Sequence, residues 1–296
     1  MNFCLPGLVL IWCPRNLTKS HKVEKMFSLD GYRAVDLSPR VKARIHRADG
    51  TIEEGNTDPY GKPWVMKEGV FPGDNSLFTL YWSPPGDEVW QPERMTSHNG
   101  SHVQGGKGHI SHWAGISPDM KGLWEMPLES FVGEAAVCNL ADLAPREISG
   151  PDEYPRGEGW NMKSKPGDVR GCEILPDHLG NVQKSDIVLM TSPFTELERP
   201  WLSAQTTEWL IKDRQIKMLG LGVPGIEWQY DLKVPSPDNS PIRRMLLGAN
   251  IPIAHPLVNI ETISSDRVMY FGLPLNFKKF EASFIRAVAF EAPEGS

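Results

Sequence analysis

Glycine and proline recur along the whole chain, and they limit how long any helix or strand can become. The 296 residues include 27 glycines and 26 prolines, and both residue types interrupt regular secondary structure. We therefore expect many short elements joined by turns. Because 40% of the residues are apolar and 23% are charged, the composition is that of a globular protein rather than a disordered one.

The distribution of charged and apolar residues argues against two classes of partner. The formal net charge is −6, and the sequence has no block of five like charges, whereas nucleic-acid-binding proteins carry a basic patch. No stretch approaches the ~18 consecutive apolar residues of a membrane-spanning helix. We therefore expect no nucleic acid and no membrane as partners, and a cytoplasmic location. The four cysteines form no C-x-x-C pair, which argues against a structural zinc site and a disulfide scaffold.

Residues 26–296 are predicted to form a single domain. The apolar run at residues 8–12 is short and has no basic residue before it, so it makes a poor signal peptide. Residues 1–25 are therefore expected to be a disordered or non-native extension. Residues 145–184 carry proline, glycine and charge with little periodicity, and they are predicted to be a surface insertion.

One strand–helix–strand unit is predicted in the second half of the chain. Residues 186–191 are a continuous apolar run, as in a buried parallel strand. Ser203 is a suitable N-cap for a helix over residues 204–212, which ends in a basic residue. Residues 216–221 then form the next strand, so the pattern predicts one parallel crossover.

Strands outnumber helices in the rest of the chain. A second helix is predicted over residues 241–247, with Pro241 in its first turn and Gly248 at its end. Period-two or continuous apolar patterns predict further strands at residues 32–37, 78–82, 131–140, 267–271 and 284–290. Both element types mix along the whole chain, which predicts one α/β domain with a mixed sheet and few helices.

Three of the eight histidines lie in one glycine-rich stretch, His98-Asn-Gly-Ser-His-Val-Gln104-Gly-Gly-Lys-Gly-His109. The glycines make a helix costly, whereas in a strand His98, His102 and Gln104 point to the same face. Two imidazoles and one carboxamide oxygen form half of a coordination shell for zinc or manganese. The alternative is a turn rich in histidine and glycine that binds no metal.

This stretch resembles the cyclase family of metal-dependent hydrolases, which includes bacterial kynurenine formamidases and isatin hydrolase. The family motif is His-x-Gly-Thr-His-x-Asp-x-Pro-x-His, and this chain keeps its frame from His98 to Gln104, with His109 one place late. Further segments resemble the family in the same order, at residues 35–38, 127–133, 185–191, 202–203, 257–260, 272–275 and 285–289. The resemblance implies a swivelling β/β/α fold, and a homodimer or homotetramer.

Three positions depart from the family pattern. Gln104 replaces the family's aspartate, so a bound dication would keep more positive charge and bind more weakly. His255 aligns with a family glutamate, and Arg243 aligns with a family histidine. If His255 is a ligand beside His98, His102 and Gln104, the nitrogen-rich set favours Zn²⁺, with Mn²⁺ as second choice. Otherwise His255 serves in acid–base chemistry or contacts the substrate.

The resemblance implies a hydrolase of a small ring-bearing amide or formamide, with water activated by the metal as the nucleophile. His109 would take the proton from the water, and His255 or His109 would return one to the leaving group. Ser101 is expected to orient a metal ligand. Two alternatives remain: a lactonase of the dienelactone type, and a ligand-binding descendant without catalysis.

The substrate is expected to be a small anion. Arg243 would clamp its carboxylate in a bidentate manner, although it is also explained as a charge on a helix surface. Trp82 and Trp113 lie near the histidine motif in sequence, and they are predicted to form aromatic walls for a ring. The alternative is that they belong to the core, which is the more frequent role in a chain with ten tryptophans.

Overall fold

A curled nine-stranded sheet carries three of the candidate site residues, His102, Gln104 and His255. This computed structural model describes residues 29, 31–41, 44–46, 49–55, 65–68, 90–92, 97–98, 100–108, 117–147, 167–195, 198–222 and 241–293. The described residues from Gly31 onward belong to one compact unit. The extension predicted at residues 1–25 and the strand predicted at residues 78–82 lie outside the described residues.

The strands are short, as the glycine and proline content predicts. They are β1 (Arg33–Asp36), β2 (Arg44–His46), β3 (Ile52–Glu53), β4 (Val65–Glu68), β5 (Trp90–Pro92), β6 (His102–Gln104), β7 (Val132–Asn139), β8 (Arg146–Glu147), β9 (Val169–Arg170), β10 (Glu173–Ile174), β11 (Ile187–Thr191), β12 (Trp201–Leu202), β13 (Met218–Gly222), β14 (Ile253–Leu257), β15 (Arg267–Phe271), β16 (Ala282–Phe284) and β17 (Val288–Glu291). Within the described residues there are two α-helices, α1 (Ala204–Lys212) and α2 (Pro241–Gly248).

The main sheet has the order β1-β17-β15-β7-β11-β13-β14-β6-β16. Strands β7, β11, β13 and β14 are parallel neighbours at its centre, and the strands outside them pair antiparallel. A second sheet has the order β3-β2-β4-β5, and the pairs β10–β12 and β8–β9 are separate. The mixed sheet with few helices confirms the predicted α/β architecture.

The parallel core forms where the sequence predicts it. All five residues of β11 are buried, as expected of a continuous apolar strand between two parallel neighbours. Helix α1 begins after Ser203, whose Oγ accepts a hydrogen bond from the Thr206 amide at 3.1 Å, so the predicted N-cap is confirmed. Both helices have the predicted positions, and α2 includes one residue more, Gly248.

The single strand predicted over residues 284–290 is wrong. Two strands replace it: β16 beside β6 at one end of the sheet, and β17 beside β1 at the other. Between them the amide of Ala287 donates to Ser38 Oγ at 2.9 Å. Because four residue steps span at most about 14 Å, the sheet must curl until its two ends approach each other.

The two faces of the sheet pack into different cores. Along β11, Ile187 and Leu189 belong to the cluster that contains Val103 and Ala287, whereas Val188 and Met190 pack with α1 and α2. Alternation along a strand therefore separates the interior of the curl from a helix-covered face. From the predicted insertion, three side chains are buried in the helix-covered core: Ile174, Leu179 and Val182.

The structure contains, in the part of the chain that it describes, no helix long and apolar enough to cross a membrane.

The Glu291 carboxylate links the end of β17 to the turn before β15. Its Oε1 accepts from the Ser264 amide, the Ser264 hydroxyl and the Ser265 amide, each at 2.7 Å. Its Oε2 accepts from Arg33 Nε, also at 2.7 Å. Burial alone would raise the pKa of Glu291, but the hydrogen bonds from Ser264 and Arg33 outweigh it and lower this pKa to about 2.

We expect Glu291→Gln to lower the free energy of unfolding at pH 7 by about 1–3 kcal/mol, because hydrogen bonds to a charged acceptor are lost. A lowered pKa in the folded state stabilises the fold above pH ~4.5, and this contribution disappears as the pH falls towards 2. Urea titrations at pH 7 and pH 3 should therefore differ less for the variant than for the wild type. Asp36→Asn, which breaks an exposed pair with Arg286, should cost less than about 1 kcal/mol. Equal pH dependence in wild type and Glu291→Gln would contradict this account.

Candidate metal centre

The pairing of β6 with β14 brings three of the predicted residues together. The two strands are antiparallel, and His102 lies directly opposite His255, with ring centroids 4.5 Å apart. Gln104 is two residues further along β6 and so points to the same face as His102. Since Val103 and Ala254 belong to the interior of the curl, His102, Gln104 and His255 face the helix-covered side.

His98 reaches the same point through a turn. The prediction of an extended strand from His98 to Gln104 is wrong in its first half, because β6 begins only at His102. Gly100 has a φ of +59°, a left-handed conformation that side-chain-bearing residues rarely adopt. This turn brings His98 Nδ1 to 3.2 Å from His102 Nε2, which a straight strand would not do. The turn therefore requires the glycine at position 100.

Three imidazole nitrogens converge on the side-chain amide of Gln104. Gln104 Nε2 lies 3.3 Å from His98 Nδ1, 3.3 Å from His102 Nε2 and 3.0 Å from His255 Nε2. An amide nitrogen has only two hydrogens to donate, so it cannot serve all three nitrogens fully. On the other side of the same group, Gln104 Oε1 is buried and has no hydrogen-bond partner among the described residues.

His98 and His102 each make a hydrogen bond on the side away from Gln104, and these bonds direct the lone pairs of both rings towards the Gln104 amide. His102 Nδ1 lies 2.9 Å from the carbonyl oxygen of Gly100, which can only accept, so His102 Nε2 carries the lone pair. His98 Nε2 lies 2.5 Å from Glu281 Oε1, so in the neutral ring Nδ1 carries the lone pair. Two electron-pair donors thus face each other at 3.2 Å, as ligands of one cation do.

Burial keeps the imidazole rings of His102 and His255 neutral. Desolvation, assisted by the charges of His98 and Arg243, lowers the pKa of His102 to about 3. Desolvation also holds the pKa of His255 well below its ordinary value, with the charges of His102 and Arg243 adding to the effect. At neutral pH both rings therefore keep lone pairs that can bind a metal.

Arg243 lies in α2 and is 7% exposed. Its charge acts on both His102 and His255, which places its guanidinium near the cluster. Its neighbour Arg244 is more exposed. The burial of Arg243 argues against a charge on the helix surface.

Ser101 acts on the main chain beside the cluster. Its hydroxyl donates to the carbonyl oxygen of Pro256 at 2.7 Å, one residue after His255. It thereby joins the start of β6 to β14. The predicted residues His109, Trp82 and Trp113 lie outside the described residues.

Glu281 is a site residue that the sequence analysis missed. It is 183 positions from His98, in a segment that carries no metal-ligand spacing. Two of the glycines after Gln104 lie against the main chain of Glu281. A Cβ on Gly108 would lie 2.3 Å from Glu281 Cα, and the Gly105 amide donates to the Glu281 carbonyl at 2.9 Å. Gly108 therefore admits the main chain of residues 280–281.

The donor set fits a divalent metal after one local change. Two nitrogens bound to zinc at about 2.1 Å and near-tetrahedral angles lie about 3.4 Å apart, close to the 3.2 Å between His98 and His102. Within the described ranges, however, no three His, Cys, Asp or Glu side chains are arranged to hold a metal as they stand. The amide nitrogen of Gln104 lies 3.0–3.3 Å from the three imidazole nitrogens, the spacing of a fourth ligand, but an amide nitrogen is a donor and does not bind a metal. A half-turn of this amide would replace the donor by its carbonyl oxygen, a metal ligand.

Comparisons with known proteins agree with the fold. Residues 35–227, well over half of the chain, match the family model described as "Putative cyclase". A comparison with curated proteins found no significant match.

Several solved structures resemble this one. Isatin hydrolase A from Labrenzia aggregata, bound to benzyl benzoate, has a TM-score of 0.55 and 18% identity, over 89% of this chain and 95% of that chain. An isatin hydrolase bound to the product analogue thioisatinate has a TM-score of 0.54 and 12% identity, over 89% and 94%. A "predicted metal-dependent hydrolase" from Bacillus stearothermophilus has a TM-score of 0.51 and 16% identity, over 88% of this chain and 98% of that chain. At such identities the likeness concerns the fold alone, and it confirms the predicted cyclase-like fold.

We expect Gly100→Ala to lower the free energy of unfolding by about 1–2 kcal/mol, because alanine is strained at positive φ and its Cβ would lie 2.8 Å from Val41 Cγ2. Gly180 is the matched control, since its φ of −61° is ordinary and a Cβ there meets nothing closer than 3.8 Å. Gly180→Ala should be neutral or stabilising by up to about 1 kcal/mol. Urea titrations of both variants give the comparison. Equal effects at the two positions would contradict the left-handed turn at Gly100.

Proposed function

The chain belongs to the cyclase family, and we propose that it is a metal-dependent hydrolase whose single divalent ion is held by His98, His102 and His255 with the amide oxygen of Gln104. One observation carries the proposal: three imidazole nitrogens converge on the end of one carboxamide side chain. The hydrogen bonds of His98 and His102 to Glu281 and Gly100 direct their lone pairs to the same point.

The proposed metal is zinc, with manganese as second choice. Three imidazoles and one neutral oxygen suit zinc, whereas manganese prefers more oxygen ligands. A zinc ion there supplies a Lewis acid and lowers the pKa of water towards ~7. Because Gln104 brings no charge, the affinity is expected to be lower than with a carboxylate in its place.

The chain's own residues divide the remaining work. With His255 as a ligand, His109 is the proposed base that takes the proton from the attacking water and returns one to the leaving group. The Arg243 guanidinium, buried near the cluster, is proposed to bind a carboxylate of the substrate with two parallel hydrogen bonds. Trp82 and Trp113 are proposed to contact a flat ring. The protein is proposed to act as a homodimer or homotetramer.

The proposed substrate is a small ring-bearing anion with an amide or formamide bond. Two of the similar folds are named isatin hydrolases, which supports hydrolysis. Arg243 equally suits an acid-bearing lactone, so a lactonase of the dienelactone type is the second candidate within this class.

The orientation of Gln104 favours a function from a different class, ligand binding without catalysis. Its amide nitrogen lies within hydrogen-bonding distance of all three imidazoles, so the cluster is held together without a metal. A ligand-binding protein that has lost catalysis would have this arrangement. Metal content separates the two proposals.

Elemental analysis of the purified and extensively dialysed protein is the first test. We expect about one zinc per chain, and we expect His98→Ala and His255→Ala to lose it. His178→Ala is the control, because His178 Nδ1 accepts from the Leu175 amide in another segment. Zinc lost in His98→Ala but retained in His255→Ala would assign His255 to acid–base chemistry or substrate contact. No zinc, even after reconstitution, would overturn the hydrolase proposal in favour of the binding protein.

A hydrolysis panel tests the substrate class. It contains an aryl formamide, a cyclic amide and a lactone, each with and without a carboxylate. We expect turnover to need the metal, and Arg243→Gln to raise KM roughly 10-fold or more for the carboxylate-bearing members only, since a hydrogen-bonded charge pair is lost. Arg244→Gln is the matched control and should leave KM unchanged. Equal KM changes for both substrate types would contradict the proposed clamp.

A further inference from the structure

The contact between Glu281 and His98 lies on the outer side of the proposed centre. Glu281 Oε1 is 2.5 Å from His98 Nε2, and the two side chains are 23% and 32% exposed. The opposite ring nitrogen, His98 Nδ1, faces His102 and Gln104. The carboxylate is therefore next to a proposed metal ligand, on the side away from the metal.

The main chain holds Glu281 in this place independently of its side chain. The Gly105 amide donates to the Glu281 carbonyl oxygen at 2.9 Å, and Ala282 pairs with Gln104 where β16 joins β6. Gly108 leaves no space for a Cβ against the Glu281 main chain. A substitution of the Glu281 side chain should thus leave these backbone contacts intact.

The carboxylate determines which nitrogen of His98 faces inward. An ionised carboxylate only accepts hydrogen bonds, so His98 Nε2 must carry the hydrogen and Nδ1 the lone pair in the neutral ring. The short contact also restricts rotation of the ring. Both effects prepare a histidine to bind a metal, and outer carboxylates of this kind raise the basicity of the ligand.

The carboxylate also changes the charge balance of the site. The three imidazoles and Gln104 are neutral ligands, and Arg243 adds a positive charge nearby. A divalent cation would therefore enter a region without a negative ligand, which opposes binding. The Glu281 charge acts on His102 in the opposite direction to that of Arg243, and so it offsets part of this repulsion.

We infer that Glu281 is a positioning residue for the metal centre: it fixes His98 with Nδ1 inward and supplies, from outside the ligand set, the negative charge that Gln104 does not provide. This inference rests on the proposed metal-dependent function. It assigns Glu281 to metal retention rather than to bond cleavage, since its carboxylate contacts a ligand and not the proposed metal position.

Zinc affinity tests the inference without relying on activity. Competition with a chromophoric chelator gives the Zn²⁺ dissociation constant of wild type, Glu281→Ala and Glu281→Gln. We expect Glu281→Ala to bind zinc 10- to 100-fold more weakly, as is typical when an outer partner of a ligating histidine is removed. Glu281→Gln keeps the shape of the side chain and a hydrogen-bond acceptor but removes the charge. Its zinc affinity should therefore lie between those of Glu281→Ala and wild type.

Two comparisons separate this role from a general contribution to folding. Glu125→Ala is the matched control, because it removes an ion pair with Lys107 close to β6 but contacts no proposed ligand; its zinc affinity should equal that of wild type. The metal-free forms of both alanine variants should unfold in urea at similar midpoints. Wild-type affinity in Glu281→Ala, or in Glu281→Gln, would overturn the inference. A wild type that binds no zinc would instead overturn the proposed function.

Discussion

The antiparallel pairing of β6 with β14 is the interaction on which the site depends. It places His102 opposite His255, and it points both rings, with Gln104, to the face that the helices cover. A shift of one residue would turn these side chains into the interior of the curl, where Val103 and Ala254 now pack. Because that interior is filled by apolar side chains, packing of the core fixes the register and hence the histidine cluster.

Burial gives this cluster its chemistry. Desolvation disfavours a charged imidazole, so His102 and His255 are neutral electron-pair donors at neutral pH. The same low polarity makes an unpartnered polar group costly, and Gln104 Oε1 has no hydrogen-bond partner among the residues that the structure describes. A cation bound at the centre would satisfy the histidine lone pairs and, after rotation of the amide, this oxygen as well.

The sequence predicts elements whose signals are local. Strand β11 and helix α1 follow from a continuous apolar run and an N-cap, which need no knowledge of distant contacts. The histidine cluster is only partly predictable from local signals. The spacing of His98 and His102 is visible in the sequence, whereas His255 is predicted only from the resemblance to a family. Glu281 could not be predicted, because it reaches His98 only through the long-range pairing of β16 with β6 in the curled sheet. The same curl divides residues 284–290 between two ends of the sheet, which periodicity does not reveal.

In the proposed centre, three imidazoles and the Gln104 amide surround one divalent ion. X-ray absorption at the zinc edge of the dialysed protein tests this arrangement, because the fine structure of the zinc signal reports only the atoms around the bound metal. We expect a four-coordinate zinc with about three imidazole nitrogens at 2.0–2.1 Å and one oxygen. A shell of six oxygens, or a zinc whose spectrum is unchanged in His98→Ala, would contradict it.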